Sequence, residues 1–366
     1  MNDSFVTSPL FERVERARRR KHKIRETHIT LAHGSGGRAM HDLVEGVFLE
    51  YFRNPMLEKL EDQAVFDVSG HTRMAFTTDS YVVDPIFFPG GDIGELAVHG
   101  TVNDLAMSGA RPLYLSAGFI LEEGFPIEDL RRVCASMQRA AEEAGVQIVT
   151  GDTKVVGRGG ADKIFITTAG IGVLETAANI SSSRAQVGDK VIVSGTIGDH
   201  GTTIMIERGE LELETDIESD SASLHLLVAD IIDEAEKQGA IDAVHCLRDP
   251  TRGGVATTLN EIAMSSDVSI EIREDLIPVR ENVKGACEIL GLDPLYVANE
   301  GKLVAIVSGE IANTVIERMR QNPHGAGACI IGEVKAEPQG IVALTTGFGG
   351  TRIVDMLAGE QLPRIC

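Results

Sequence analysis

The stretch IEDLRRVCASMQRAAEEAGVQIV, residues 127–149, decides the fold class of this chain. Residues 127–144 carry their apolar side chains at helical spacing, and no proline interrupts them. Gly145 follows as the residue that ends the helix, because glycine adopts the left-handed conformation of a helix C-terminus at little cost. Val146 to Val149 then form a short strand. The stretch therefore predicts a helix that turns directly into a strand, a unit typical of α/β proteins.

Strands and helices alternate on both sides of this unit. In the first half, the pattern predicts a helix after the glycines of residues 33–37, strands at 74–78, 113–120 and 163–173, and a helix at 93–108. In the second half, it predicts strands at 190–194, 303–308 and 330–334, and helices at 220–238, 255–264 and 311–321. Residues 347–366 are predicted to form a turn, a short helix and a free tail. The alternation predicts an α/β (or α+β) protein, and the length of 366 residues favours two domains.

The composition is that of a globular protein, with 43% hydrophobic and 24% charged residues. No apolar run approaches the roughly 18 residues of a membrane span, and residues 1–10 lack the apolar centre of a signal peptide. The five cysteines form no CxxC pair, and their odd number argues against a disulfide framework. We therefore expect a cytoplasmic protein without a membrane partner.

The charge is strongly negative, at −21, from 34 Lys and Arg against 55 Asp and Glu. A body this acidic matches nucleic acid poorly, so we expect no nucleic-acid partner. Residues 1–30 are the exception, with eight basic and four acidic side chains. The basic run at residues 16–23 has two interpretations, a solvated extension or an arm that docks on an acidic partner.

A glycine loop precedes the first predicted helix and consists of His33, Gly34, Ser35, Gly36 and Gly37. Backbone N–H groups of such a loop can close on a phosphate, helped by the helix N-terminus. The loop lacks the lysine of a Walker A motif. On its own it indicates a phosphate site and a plain linker equally.

Four aspartates lie beside small, loop-forming residues at predicted strand ends or loops: Asp62, Asp79, Asp104 and Asp152. Each one alone is more often a turn or cap residue. Magnesium prefers hard oxygen ligands that it shares with water and substrate phosphates. Because converging carboxylates repel each other unless a cation lies between them, the set predicts a magnesium site.

Two segments offer positive charge to a phosphate. Lys154 follows Asp152 by two residues and can reach a transferring phosphoryl group, although a surface lysine is the alternative. Arg252 and Gly253 present a guanidinium and bare backbone at a predicted helix start, which suits an anion. The alternative here is an ordinary helix cap with Thr251 as the capping residue.

Two residues could take part in the chemistry itself. Glu300 lies at a predicted loop-to-strand junction, where it is equally a general base or a turn residue. Cys366 ends the chain, so its thiol has chain on one side only and could swing between pockets. The reactive form is the thiolate, which a cation such as Arg364 would favour. A frayed tail that happens to end in cysteine is the alternative.

Taken in order, these motifs resemble the ATP-binding superfamily of aminoimidazole ribonucleotide synthetase, thiamine monophosphate kinase and selenophosphate synthetase. Within it, the chain resembles the HypE family, the carbamoyl dehydratases of NiFe-hydrogenase maturation. The resemblance runs from about Leu31 to Cys366. It rests on HGSGG (33–37), TTDSYVVDP (77–85), FFPGG (87–91), GTVNDLAMSGARP (100–112), GFILEEG (118–124), TGDTKVV (150–156), SGTIGDHG (194–201), DPTRGG (249–254), ANEGKLV (298–304) and the terminal PRIC (363–366).

The resemblance implies a reaction on the chain's own tail. A carbamoyltransferase, HypF, places a carbamoyl group on the sulfur of Cys366. The HypE-type enzyme then uses ATP and Mg²⁺ to activate the carboxamide oxygen, and loss of phosphate leaves a thiocyanate. The cyano group passes to the iron held by the HypC–HypD complex. ATP is expected to draw the tail inward, because the reaction requires it there.

The resemblance also implies roles for the residues above and a division of the chain. The catalytic residues would be Cys366, Glu300 and Lys154, the metal ligands Asp62, Asp79, Asp104 and Asp152, and the nucleotide contacts Gly34, Ser35, Gly36, Gly37, Asn103, Arg252 and Gly253. The fold would be the two-domain aminoimidazole ribonucleotide synthetase-like fold. Residues 1–30 would be a basic extension, 31–178 an ATP- and magnesium-binding domain that forms a homodimer, 179–345 an α/β sandwich domain, and 346–366 a flexible tail.

Two other functions stay open from the residues alone. A small-molecule kinase of the same superfamily would need the aspartates but would have no use for Cys366. A non-catalytic scaffold would bind ATP and a maturation partner without needing Glu300 or Lys154.

Overall fold

The computed structural model describes residues 27–68, 72–209, 215–357 and 364–366, so the basic run at residues 16–23 lies outside the described residues. The strands are β1 (Ala64–Val68), β2 (Thr72–Tyr81), β3 (Phe87–Phe88), β4 (Gly91–Asp92), β5 (Arg111–Glu122), β6 (Gln147–Val156), β7 (Ile164–Leu174), β8 (Lys190–Val193), β9 (Val244–Arg248), β10 (Ser269–Arg273), β11 (Val304–Val307), β12 (Cys329–Lys335), β13 (Ile341–Thr345) and β14 (Thr351–Val354). The α-helices are α1 (Arg38–Leu43), α2 (Leu49–Phe52), α3 (Ile93–Met107), α4 (Ile127–Ala144), α5 (Asp199–Glu207), α6 (His225–Lys237), α7 (Gly254–Ser265), α8 (Glu281–Leu290) and α9 (Ala312–Met319).

The strands form two large sheets, which confirms the predicted mixed α/β fold class. The first has the order β1-β2-β7-β5-β6, with every pair antiparallel except β5 and β6. The second has the order β14-β13-β10-β12-β8-β11-β9, and only β10 and β13 run parallel in it. Strands β3 and β4 form a separate small pair.

Helix α3 lies at the centre of the molecule. Thirteen of its fifteen residues are buried, so it is apolar nearly all round, as a helix covered on every side must be. Its residues Leu96 and Val98 belong to the core between the first sheet and α4. Ala106 and Met107, at its other end, pack against α6 and the second sheet. The helix therefore carries side chains from the first sheet to the second.

Helices pack on only one face of the first sheet. The uncovered face exposes large apolar side chains, among them Phe76 at 44%, Tyr114 at 44% and Ile120 at 40%. The edge strand β6 is exposed along almost its whole length. A face this apolar is unusual for the surface of a lone chain.

Several elements differ from the sequence predictions. The helix predicted at residues 220–238 begins only at His225, and the helix predicted after the glycine loop is broken by a π-helical turn at Val44–Phe48. In the stretch predicted to form a turn and a short helix, the described residues 347–357 hold strand β14, which pairs with β13, and no helix. The Thr, Ile and Val residues of β14 favour a strand. Among the described residues, no helix has the length and apolar character needed to cross a membrane.

Candidate active site

The end of the chain lies inside the molecule. Cys366 is only 6% exposed and, with Ile365, belongs to the core of the first sheet. The backbone N–H of Val82 donates to a terminal carboxyl oxygen of Cys366 at 2.9 Å. The last residues of the tail, predicted to be free, are therefore docked in a defined position.

The thiol of Cys366 meets three charged side chains. The guanidinium of Arg252 and the carboxylates of Glu300 and Asp79 lie close enough to act on it electrostatically. Burial raises the pKa of the Cys366 thiol to about 12, against the opposing effect of Arg252. The cation beside the sulfur is thus Arg252, whereas the sequence had suggested Arg364. In this position the sulfur is a neutral thiol at physiological pH.

Glu300 is the nearest candidate base. Glu300 is buried, at 4% exposure, and its Oε1 has no hydrogen-bond partner among the described residues. Burial, and then the carboxylates of Asp79 and Asp220, raise the pKa of Glu300 well above its usual range. A carboxyl with a raised pKa is a stronger base once ionised.

The backbone around Glu300 is held from two sides. Asp220 accepts a hydrogen bond from the N–H of Glu300 at 3.1 Å and forms an ion pair with Lys302 at 3.1 Å. Asn103 of helix α3 donates to the carbonyl oxygens of Ala222 at 3.0 Å and Glu300 at 3.4 Å. Asn103, predicted as a nucleotide contact, therefore uses its amide to join helix α3 to the segment that carries Glu300.

A group of buried carboxylates lies next to Glu300. Thr77 donates to Asp104 at 2.8 Å. Burial, and then the carboxylates of Asp249, Asp62 and Asp79, raise the pKa of Asp104 well above its usual range. This arrangement has too much negative charge for a buried site unless a cation shares it.

Asp62 and Asp249 belong to the same group. Asp62 forms an ion pair with Arg248 at 2.7 Å, yet burial still raises its pKa well above the usual range. Burial also raises the pKa of Asp249 to about 6. Among the described residues, no three His, Cys, Asp or Glu side chains lie in a geometry that could hold a metal ion by themselves. Magnesium commonly takes one or two carboxylates and completes its shell with water and substrate phosphates, so the donors fit that ion.

The structure separates Asp152 and Lys154 from this group. Both lie on the edge strand β6, pair with each other, and are 72% and 68% exposed in their side chains. Asp152 is in register with Gly118 of β5, which pairs with Thr167 of β7, and that residue pairs with Ser80 of β2. Laterally paired residues point to the same side of a sheet. Asp152 therefore points to the uncovered face, on the opposite side from Asp79.

Asp79 lies within strand β2, whereas the sequence predicted it just after the end of that strand. Asp104 lies on helix α3, within the helix predicted at residues 93–108. The two meet because α3 packs on the face of β2 to which Asp79 points, since side chains alternate along a strand.

The glycine loop closes on the segment that carries Arg252. Gly36 has a φ of +76°, and a Cβ there would lie 2.5 Å from the carbonyl oxygen of Arg252. A Cβ on Gly37 would lie 2.3 Å from the carbonyl oxygen of Leu357. The guanidinium of Arg252 donates to the carbonyl oxygen of Gly34 at 3.3 Å and lies 3.6 Å from Asp79. Glycine is thus required where this loop approaches the backbone of its neighbours.

Two other predicted contacts lie in the same place. Ser35 is buried and its hydroxyl donates to the carbonyl oxygen of Ala32 at 2.9 Å. Gly253, at a φ of +79°, is the N-cap of helix α7. The alternative that Thr251 caps this helix through its side chain is therefore wrong.

Two neighbouring cavities open beside the glycine loop. The smaller, about 160 Å³, is polar and is bordered by Gly36, Asp62, Asp249 and Arg252. The larger, about 380 Å³, is mainly apolar, and Met40, Val44, Leu57 and Leu60 form part of its wall. Both cavities share Met40, His41, Asp62, Arg248 and Glu261.

Sequence reasoning missed several of these residues. Arg248, Asp249, Asp220 and Glu261 were not predicted, and neither was the apolar wall. Asp249 could have been found, because it directly follows β9 and begins the DPTRGG motif. Asp220 gave no signal, because it reaches Glu300 only through the fold.

Family comparisons agree over nearly the whole chain. Residues 60–174 match the family described as AIR synthase related protein, N-terminal domain, and residues 186–345 match its C-terminal domain. The chain is similar to the carbamoyl dehydratase HypE of Bradyrhizobium diazoefficiens, with 56% identity over 351 residues, which are 96% of this chain and 100% of the relative.

Two solved structures are similar as well. The HypE of a HypE–HypF complex has 50% identity and a TM-score of 0.80, covering 86% of this chain and 99% of that one. A hydrogenase maturation protein HypE in complex with ATP has 53% identity and a TM-score of 0.76, covering 93% of this chain and 100% of that one.

Proposed function

This chain belongs to the HypE family of carbamoyl dehydratases, within the AIR synthase related proteins, and we propose from that premise that it dehydrates a carbamoyl group carried by the sulfur of its own Cys366. The observation that carries the proposal is the position of that sulfur. It lies buried beside Arg252 and Glu300, near the carboxyl groups of Asp62 and Asp104, whose pKa values burial raises. The product would be a thiocyanate, the source of a cyano ligand for a hydrogenase iron.

We propose that ATP binds beside the glycine loop. The two neighbouring cavities offer a polar space for phosphates and an apolar space for a purine base. The backbone of Gly34, Ser35, Gly36 and Gly37, with Arg252 and Gly253, would border the phosphates. A HypE of 53% identity has been solved with ATP, which supports this assignment.

We propose that Asp62, Asp79 and Asp104 hold magnesium together with the nucleotide. The raised pKa values of Asp62 and Asp104 support this, because carboxylates crowded in a buried site gain most from a shared cation. When bound, magnesium would supply positive charge to the phosphate oxygens.

The residues of this chain fit the steps of the dehydration. Transfer of a phosphoryl group from ATP to the carboxamide oxygen turns that oxygen into a good leaving group. The nitrogen then loses its two protons, the carbon–oxygen bond breaks, and the oxygen departs within phosphate. Glu300 would take one proton from the nitrogen, the departing phosphate would take the other, and Arg252 would offset negative charge near the carboxamide. The thiol pKa of Cys366 does not obstruct these steps, because the sulfur already carries the carbamoyl group.

We propose that a second copy of the chain completes the site. The uncovered apolar face of the first sheet would form the homodimer interface, and it would deliver Asp152 and Lys154 of the partner subunit to the phosphates. Both side chains point to that face and are free of the rest of their own site. Lys154 would then act across the interface.

We propose that Cys366 receives its carbamoyl group outside the molecule, from HypF. A HypE of 50% identity has been solved in complex with HypF, which supports this partner. The raised thiol pKa of docked Cys366 disfavours the thiolate that must attack a carbamoyl donor. The tail would later present its cyano group to the HypC–HypD complex. All five cysteines are free thiols in the structure, which fits a reducing cytoplasm.

The test is mass spectrometry of the protein after incubation with HypF, carbamoyl phosphate, ATP and Mg²⁺. We expect a carboxamide adduct on Cys366 that loses one water only when hydrolysable ATP is present. Cys366→Ala is the control and should carry no adduct. A Cys366 that stays unmodified, under conditions that convert another HypE, would contradict the proposal.

A further inference from the structure

The last three residues of the chain lie in a groove that is formed by Val82–Asp84, Asp162, His200 and Arg208, here termed the tail groove. Two backbone bonds align the tail with the segment after β2. Val82 donates to Cys366 at 2.9 Å, and Asp84 donates to the carbonyl oxygen of Arg364 at 3.2 Å. These bonds resemble the addition of a strand and would accept any sequence. What could distinguish this tail from another peptide must come from side chains.

His200 binds the backbone of the tail. Its Nε2 lies 2.9 Å from the carbonyl oxygen of Ile365, and its Nδ1 lies 2.8 Å from the hydroxyl of Ser219. A carbonyl oxygen can only accept, so Nε2 carries the proton and Nδ1 accepts from Ser219. The ring is fully buried, with Phe88 against it edge to face at 5.6 Å between ring centres. His200 therefore presents a fixed N–H to the tail.

The side chain of Arg364 anchors the tail to the groove through two carboxylates. Its guanidinium forms an ion pair with Asp162 and lies 3.8 Å from Asp84. Arg208 donates to the carbonyl oxygens of both Asp84 and Arg364. The φ of Arg364 is +56°, a left-handed conformation that is unfavourable for a residue with a Cβ. The tail adopts it only because these side-chain contacts and the buried Ile365 compensate.

We propose that the tail groove recognises the Arg364 side chain and the Ile365 carbonyl, and that Asp162 and His200 are positioning residues that place the sulfur of Cys366 beside Glu300 and Arg252. The recognition itself is independent of the reaction, whereas the positioning role rests on the function proposed above. Neither residue touches the sulfur or the carboxylate group of Asp62, Asp79, Asp104 and Asp249.

The first test measures docking without any catalysis. The rate of alkylation by iodoacetamide is measured by peptide mass spectrometry for Cys366 relative to Cys134, which is exposed and serves as an internal reference. We expect Asp162→Asn to raise the relative rate at Cys366 roughly 3-fold, since a partly exposed ion pair is lost. Asp233→Asn, at an exposed residue of helix α6, is the matched control and should change nothing.

Variants of His200, and a swap of the charges at positions 162 and 364, test the same recognition further. His200→Leu should raise the relative rate roughly 10-fold, because it leaves a buried carbonyl without its donor, and His200→Gln should restore much of the protection. Asp162→Arg should expose the thiol, and combining it with Arg364→Asp should restore protection. Asp162 is partly exposed, so its variants remain informative if His200→Leu fails to fold.

The second test measures the positioning role in single turnovers of carbamoylated protein. We expect Asp162→Asn to slow dehydration only slightly, because dehydration follows the docked fraction, and Asp162→Arg, which should undock the tail, to slow it severalfold, with unchanged ATP affinity. If neither Asp162→Asn nor His200→Leu changes the alkylation of Cys366, the recognition proposal is overturned. If Asp162→Arg exposes Cys366 to alkylation while dehydration keeps its full rate, the positioning role is overturned. A protein that shows no dehydration at all would contradict the proposed function and leave the alkylation result standing.

Discussion

At the scale of single residues, Glu300 decides whether the site is a dehydratase. We expect Glu300→Gln to slow dehydration roughly 100-fold or more, the usual effect of removing a general base. ATP affinity should change little, because Glu300 lies by the sulfur of Cys366. The measurement is the single-turnover loss of water from carbamoylated Cys366, with Glu123→Gln as the control at an exposed position. A rate within a factor of about two of the unaltered protein would exclude the role of base.

The pH dependence of that rate follows from the same residue. The base must be ionised to act, and its pKa is raised by burial and by Asp79 and Asp220. Dehydration should therefore decline on the acid side at a higher pH than an ordinary glutamate would give. A matching shift of this acid limb toward lower pH in Asp220→Asn would confirm the electrostatic cause, and no shift would contradict it.

Ionised Asp104 destabilises the folded protein, although it is a proposed ligand of magnesium. Its pKa is raised in the folded protein, so the folded state binds the proton more tightly than the unfolded chain does. The stability it contributes is then present below the unfolded pKa of about 4 and is lost as the pH rises. We expect Asp104→Asn to increase the free energy of unfolding by about 1–3 kcal/mol at about pH 8, which raises the thermal unfolding midpoint. At about pH 4 the midpoint should stay nearly unchanged.

The asparagine would keep the hydrogen bond from Thr77. Thermal unfolding at both pH values is the measurement, and magnesium-dependent ATP binding should weaken in the same variant. A lower midpoint at the higher pH would show that Asp104 is held as a favourable anion instead.

The sequence predicted single residues best where a motif keeps its members close in the chain. Arg252, Glu300 and Cys366 do lie together, but their meeting depends on three distant segments, which the residues alone could not place. Lys154 and Asp152 looked like companions of Asp79 because all follow small residues. Only the strand order separates them, since β6 lies at an edge and turns those side chains to the other face.

At the scale of elements, helix α3 depends on its first cap. Asp92 accepts hydrogen bonds from the N–H groups of Gly94 at 2.7 Å and Glu95 at 3.1 Å, and from the hydroxyl of Ser136 at 2.6 Å. We expect Asp92→Ala to lower the free energy of unfolding by about 1–2 kcal/mol, and Asp92→Asn to lower it less. Urea denaturation measures both. Equal midpoints for the alanine variant and the unaltered protein would show that the buried faces alone fix this helix.

Elements with their own end signals were predicted well. Helix α4 runs from Ile127 to Ala144 as predicted, and Gly145 has a φ of +67°. Strand β14 was not predicted, because a four-residue strand has little periodicity and gains its stability from pairing with β13. Helix α6 starts five residues late because residues 220–224 are occupied with the contacts of Asn103 and Glu300.

At the scale of the whole molecule, the charges and the apolar face point to an assembly. A chain of net charge −21 resists non-specific association, so a large uncovered apolar face on its first sheet indicates a specific partner surface. The proposed homodimer would cover that face and would bring further positive charge, from Lys154 of the partner subunit, toward carboxylates that Arg248 and Arg252 only partly offset. The site would then be incomplete in one chain.

A mixing experiment tests whether each active site is shared. Cys366→Ala and Lys154→Ala should each abolish or strongly reduce dehydration alone. In a mixed dimer, the chain with intact Cys366 meets the intact Lys154 of its partner subunit, so one of the two sites is complete. Equal amounts of the two variants, dissociated and reassociated, should recover about a quarter of the activity of the unaltered protein, because half the dimers are mixed and each has one working site. As a control, a chain that carries both Cys366→Ala and Lys154→Ala is mixed with either single variant. Neither mixture should recover activity. If the two single variants also recover none while exchanging subunits, Lys154 acts within its own chain and the shared site is excluded.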